Sequence, residues 1–317
     1  MNIIRAKTIG FCTGVRRAVE IAYTEAERSK GNRPVYTLGP LIHNPQVLED
    51  LKRRGVEILD ENNLPKNLRG AVVIIRAHGV SPQTEAELRR REVQVVDATC
   101  PKVKSSQLKA AVFAKAGYRL FLAGEERHAE IIGIRGYAEA AMPAAMPAAF
   151  AGQSAAGKAA PFCAIVSNAA EAEKAAAQLH DEDSALCRNG AAALIGQTTI
   201  SAEEYQSIGS AITRFFPDLE IAPTICAATQ ERQDSLRELL DKTDAIIIAG
   251  GKESANTRRL LAIAEAAALP AGKPCAQVET AADIPADFFK FNIIGLASGT
   301  STPDVVIDDI ERSLGNR

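Results

Sequence analysis

The chain has 317 residues and a formal net charge of −2, with 37 Lys and Arg against 39 Asp and Glu. Its 46% hydrophobic and 24% charged residues exclude a disordered, collagenous or coiled-coil chain, and at roughly 100–200 residues per domain the length predicts two or three domains. The near-neutral balance offers no broad basic face for nucleic acid. No run of about 18 apolar residues is present to span a membrane, and the opening MNIIRAKTIGFC lacks the apolar stretch of a secretion signal. A cytoplasmic protein with reduced cysteines is expected.

From the N-terminus, short β-branched runs predict strands over 3–9, 35–38, 72–76, 93–97, 119–123, 191–195, 219–222, 245–249 and 292–296. Most are apolar throughout, as strands buried on both faces of a parallel sheet must be. Helical periodicity falls between them, over 15–28, 107–116, 202–216, 233–240 and 257–267. Ser81-Pro82 and Ser201, ahead of Glu203 and Glu204, mark two further helix starts. The alternation predicts an α/β fold with parallel-rich sheets. Residues 138–161 break the rhythm with Ala, Gly, Pro and a doubled AAMP, and read as a flexible surface insertion.

Of the six Cys and four His, three of each follow predicted strands. Cys12 lies in GFCTG, His43 in GPLIHN, His78 in RAHG, Cys100 in DATCP, and His128 with Glu130 in HAE. Thr198 and Thr199, Cys226, Ser254 with Asn256, and Ser301 occupy the same kind of place. In parallel α/β sheets ligands bind beyond the C-terminal strand ends. Taken singly, each residue has a plainer explanation: an inert thiol, a hydrogen-bonded His, a Ser helix cap. For Glu130 a solvated helix position is slightly favoured. The recurrence of one topological location is what argues for a site. Cys163, Cys187, Cys275 and His180 do not share it and read as bystanders.

Cys12, Cys100 and Cys226 cut the chain into blocks of similar size once 138–161 is set aside. Three small α/β domains are expected, over 13–100, 101–223 (with the insertion) and 224–317 together with 1–12, arranged pseudo-three-fold around a shared centre. No local C-x₂-C run exists, so a zinc ribbon or ferredoxin-type run is excluded. Three long-spaced thiols fit a metal or iron–sulfur centre with one open position. Neutral donors at helix N-termini suit a phosphate or diphosphate.

Together, GFCTGVRRAV, GPLIHN, RAHGV, DATCP, HAE, QTTIS, TICAATQERQ, ESANTRRL and SGTSTPD resemble, in order and over residues 10–304, the blocks of the 4-hydroxy-3-methylbut-2-enyl diphosphate reductases of the non-mevalonate isoprenoid pathway. The resemblance implies a 4Fe–4S cluster on Cys12, Cys100 and Cys226 with one iron left for substrate. It implies diphosphate contacts or proton positioning by His43, His78, His128, Ser254, Asn256 and Ser301. Glu130 matches a proton-relay carboxylate, Thr198 a hydroxyl near the substrate alcohol, and His128 a further catalytic position. The implied reaction is a two-electron reductive dehydroxylation, with a ferredoxin or flavodoxin as donor. A non-catalytic iron–sulfur sensor or diphosphate-binding module on the same scaffold is the alternative, and a zinc hydrolase a third reading. The chain departs from the family pattern at Ala129, where Pro is usual, at Glu253 and Ala255 within the usual NSSN, and in the Ala-rich stretch. Weaker diphosphate binding with catalysis retained is expected from Ala255.

Overall fold

The computed structural model describes residues 1–30, 32–142, 163–181 and 191–315. Most of the Ala-rich stretch, and Cys187, lie outside the described residues. The chain forms two compact units, one from 1–64 and 226–317, the other from 65–225.

The first unit opens with β1 (Asn2–Arg5), α1 (Thr13–Ser29), β2 (Val35–Leu38), α2 (Pro45–Arg53) and β3 (Val56–Leu59). The chain then builds the second unit from β4 (Val72–Ile75), α3 (Pro82–Arg90), β5 (Gln94–Asp97), α4 (Pro101–Lys115), β6 (Arg119–Ala123) and α5 (Ala129–Ala141). β7 (Cys163–Val166), α6 (Ala169–Asp181), β8 (Ala192–Gly196), α7 (Ala202–Thr213) and β9 (Glu220–Ile221) complete it. The first unit resumes with α8 (Ala227–Leu240), β10 (Ala245–Ala249), α9 (Ala255–Ala268), β11 (Cys275–Val278), β12 (Ile293–Ser298) and α10 (Asp304–Gly315).

All described pairings are parallel, as the apolar strand runs predict. The first unit holds a sheet in the order β1-β12-β10-β11, with Asn2 opposite Ile293 and Ile247 opposite Leu296, and pairs β2 with β3. The second holds the order β7-β6-β8-β9 and pairs β4 with β5. Alternate residues of each strand feed opposite layers. In the first unit Ile247, Leu296 and Ile294 pack with Ile307, Ile310 and Leu314 on one face, while Ile246, Ile248 and Ala297 meet Leu236, Leu239 and Leu260 on the other. In the second, Phe121 and Leu194 pack with Tyr205 and Ile208, and Leu120, Leu122 and Ile195 with Ile131 and Ile134. Each such fully buried side chain contributes about 1.5–3 kcal/mol of transfer free energy. The Tyr205 hydroxyl donates to the carbonyl of Leu194 or of Ala222, both at 2.8 Å, tying β8 to the short edge strand β9.

Helix starts follow their caps. Ser81 and Ser201 accept from the N–H of Thr84 and Glu204 at 3.1 and 3.2 Å, and Asn44 accepts from Val47 at 3.0 Å. α4 and α8 begin six residues before the apolar periodicity does. Apart from the buried Val103 their first turns are polar or small, and Pro101 supplies the preset φ of a first helical position of α4. β1 stops at Arg5, short of the expected 9, because the chain turns toward Gly10, whose φ of 81° is open to glycine at no steric cost. Among the described residues no helix is long and apolar enough to cross a membrane.

Candidate active site

In the first unit the strand-end loops are laced together. Gly10 donates its N–H to Ser298 Oγ at 3.0 Å, and Cys12 donates to the Thr300 carbonyl at 3.2 Å. This lays the GFCTG turn along the loop after β12. Thr300 in turn donates to Asn256 Oδ1 at 3.0 Å. Ser301 Oγ donates to the His43 carbonyl at 3.2 Å and lies 3.5 Å from Ser254 Oγ. Ser254 also caps α9, accepting from the Thr257 N–H at 3.3 Å, so the plain helix-cap explanation holds for this residue. Gly251 makes the approach possible, since a Cβ there would sit 2.5 Å from the His43 carbonyl oxygen. His43, Ser254, Asn256 and Ser301 thus form one polar set. Asn256 is 2% exposed, and its Nδ2 has no partner among the described residues, a buried donor of the kind a ligand oxygen would satisfy.

In the second unit the Cys100 N–H donates to the Ala77 carbonyl at 2.9 Å, fixing the cysteine loop beside His78. The His78 and His128 rings meet edge to face with centroids 5.0 Å apart. His128 caps α5, its Nδ1 accepting from the Glu130 N–H at 3.2 Å. A ring whose Nδ1 accepts carries its proton on Nε2 when neutral. The cap also explains why Ala129 is tolerated: Pro is favoured at a first helical position, but the helix here is started by the histidine before it.

Glu130 is 1% exposed, which overturns the solvated-helix reading. Its Oε1 accepts from Thr198 N–H at 2.7 Å and its Oε2 from Thr198 Oγ1 at 2.9 Å. Burial pushes the carboxyl up to about 7 against the opposing pull of these two bonds. Neighbouring Gln197 braces the same loop, accepting from Glu125 N–H and donating to Thr199 Oγ1, each at 3.0 Å. Glu130 and Thr198, assigned separately from sequence, form one hydrogen-bonded pair.

Cys12, Cys100 and Cys226 are all free thiols, partly exposed, at the N-caps of α1, α4 and α8. In none does the sulfur close the cap. Cysteine sulfurs are the ligands soft metals and iron–sulfur clusters take, so the donor set fits such a centre. Cys163, Cys275 and His180 differ. Desolvation pushes the Cys163 thiol up to about 12 and Cys275 to about 11, and His180 sits against Phe215 and Phe216. Glu253 is exposed, turned from the buried polar set. Sequence reasoning passed over Gln197 and Arg232. The latter is buried on α8, with Nη2 donating to the Gly10 carbonyl at 2.8 Å and Nη1 to the Ser298 carbonyl at 3.0 Å. Its only sequence signal was its place in the TQERQ block.

Parallel sheets with reduced cysteines, histidines and a buried carboxyl at their strand-end loops define an α/β enzyme. The chain belongs to the LytB protein family, whose model matches residues 3–315. It is 40% identical to the 4-hydroxy-3-methylbut-2-enyl diphosphate reductase of Treponema denticola, over 99% of both chains. It is 35% identical to that of Thermoanaerobacter sp., over 99% of this chain and 96% of the relative. Among solved structures it is similar to (E)-4-hydroxy-3-methyl-but-2-enyl diphosphate reductase, the terminal enzyme of the non-mevalonate pathway, with a TM-score of 0.66 and 31% identity over 100% and 99% of the two chains. The Plasmodium falciparum reductase aligns with a TM-score of 0.79 and 25% identity over 98% of this chain and 87% of that one.

Proposed function

We propose that the protein reduces 4-hydroxy-3-methylbut-2-enyl diphosphate. The allylic C–O bond is cleaved with two electrons and two protons, giving isopentenyl and dimethylallyl diphosphates and one water. Membership of the reductase family supports the reaction. The observation that carries it here is the buried Glu130–Thr198 pair, a carboxyl held where it is part protonated near neutral pH.

In this reading Cys12, Cys100 and Cys226, one at or beside each boundary between the three expected domains, hold a 4Fe–4S cluster. When bound, the cluster supplies single electrons and, at the iron without a cysteine, a Lewis acid for the substrate hydroxyl. The chain's own residues do the rest. His43, His78, Ser254, Asn256 and Ser301 hold the diphosphate and so fix which carbon is presented. Thr198 keeps the Glu130 carboxyl aimed, and Glu130 delivers the proton that lets the hydroxyl depart as water. His128, whose Nδ1 accepts from the Glu130 N–H, contacts the diphosphate or positions a proton. A ferredoxin or flavodoxin is the electron donor.

Anaerobic purification with iron and sulfide analysis, followed by turnover with a strong reductant, tests this. Glu130→Gln should lower kcat by about 10²–10⁴-fold, the range for loss of a general acid, with the cluster retained. An iron-free protein, or a Glu130→Gln variant at full rate, would sink the reading.

A further inference from the structure

We infer that Arg232 is the fixed counter-cation of the iron–sulfur centre and holds its reduction potential up, in addition to clamping the Cys12 loop. The inference rests on the cluster reading above. Arg232 is 1% exposed and among the largest fully buried side chains. Its bonds all go to neutral groups: Nη1 to the Ser298 carbonyl at 3.0 Å and to Ser298 Oγ at 3.3 Å, and Nη2 to the Gly10 carbonyl at 2.8 Å. Nε has no partner among the described residues. No described carboxylate pairs with it, and its helix neighbour Glu231 is exposed.

An arginine stays charged in proteins, and a buried cation facing only carbonyls is costly unless an anion compensates it. Burial pulls the guanidinium down from the usual arginine range. The placement is specific. The guanidinium grips the carbonyl two residues before Cys12 and rides the helix that Cys226 caps. Three thiolates leave the proposed centre anionic in both oxidation states, and each added electron makes it more so. A cation fixed in low dielectric beside it favours the reduced form, since cluster potentials follow net charge and local hydrogen bonding. A clamp alone would not call for a full positive charge with no acidic partner.

The test is a dye-mediated redox titration of the anaerobically loaded full-length protein, followed by electron paramagnetic resonance, with thermal melts alongside. Arg232→Gln keeps polar reach and removes the charge. Its reduction equilibrium constant should fall at least tenfold, which for one electron is a midpoint about 59 mV lower. Arg232→Lys keeps the charge but loses the fork, so its midpoint should stay within threefold of wild type in equilibrium constant. Both variants should melt earlier, because both lose the two-armed grip. A loaded Gln variant at the wild-type midpoint, or a Lys variant shifted as far as tenfold, overturns the inference. If the Gln variant fails to load, the Lys variant decides on the same criterion. A wild-type protein that takes up no cluster sinks the cluster reading itself, whereas loaded variants with unmoved potentials sink only the role of Arg232.

Discussion

Glu130 shows how one buried carboxyl couples chemistry to folding. Its pKa rises from an ordinary 4.5 to about 7 in the fold, chiefly by desolvation. Between those values the folded protein binds more protons than the unfolded chain, so this group's contribution is most favourable below 4.5 and is lost as pH rises through 7. The loss should reach about 3 kcal/mol above pH 8. Denaturant titrations at pH 5 and pH 8 should show that decline in the wild type and lose most of it in Glu130→Gln. At Ala255, which is buried next to the Ser254 cap, restoring a hydroxyl adds one donor to the polar set of Ser254, Asn256 and Ser301. Ala255→Ser should lower the substrate Kd about two- to tenfold, the scale of one net hydrogen bond. Calorimetric titration showing no change would mean that position 255 does not meet the diphosphate.

At the scale of elements, most strands were legible because burial on both faces leaves a short, β-branched apolar run bounded by turn residues, whereas β3, with Glu57 and Ile58 exposed, leaves no such run. β4, VVII, and β10, AIIIA, are the plainest legible cases. The starts of α4 and α8 were not legible, because their first turns have no side-chain cap bond to mark them and do not extend the apolar period. The burial of Glu130 was illegible for another reason. It is produced by α5 packing and by a Thr198 loop 68 positions away, and one-dimensional context cannot show either. The residue identities at the site were legible because every parallel strand delivers its next loop to the same edge, so scarce reactive types stood out by position. α10 offers an element-level test. Ile307, Ile310 and Leu314 are fully buried against the first unit's sheet, so Ile310→Ala should cost about 2–5 kcal/mol. Chemical denaturation of the purified variant measures it, and a cost below 1 kcal/mol would show that α10 does not anchor that layer.

For the whole chain, the decisive feature is that the second unit is one continuous stretch while the first is assembled from both ends. β1 is paired along its length with β12, Asn2 with Ile293 through Arg5 with Leu296. The Cys12 amide rests on the Thr300 carbonyl, and Arg232 spans from α8 to the Gly10 and Ser298 loops. Seen in the order in which a ribosome emits the chain, the first strand made waits for nearly the last. The turn that bears Cys12 has no seat until Thr300 itself has been synthesised. The nascent chain therefore carries its first thiol unprotected through most of translation. In the proposed reading, loading of a cluster at Cys12 would follow release, with oxidation of the waiting cysteine competing directly with maturation.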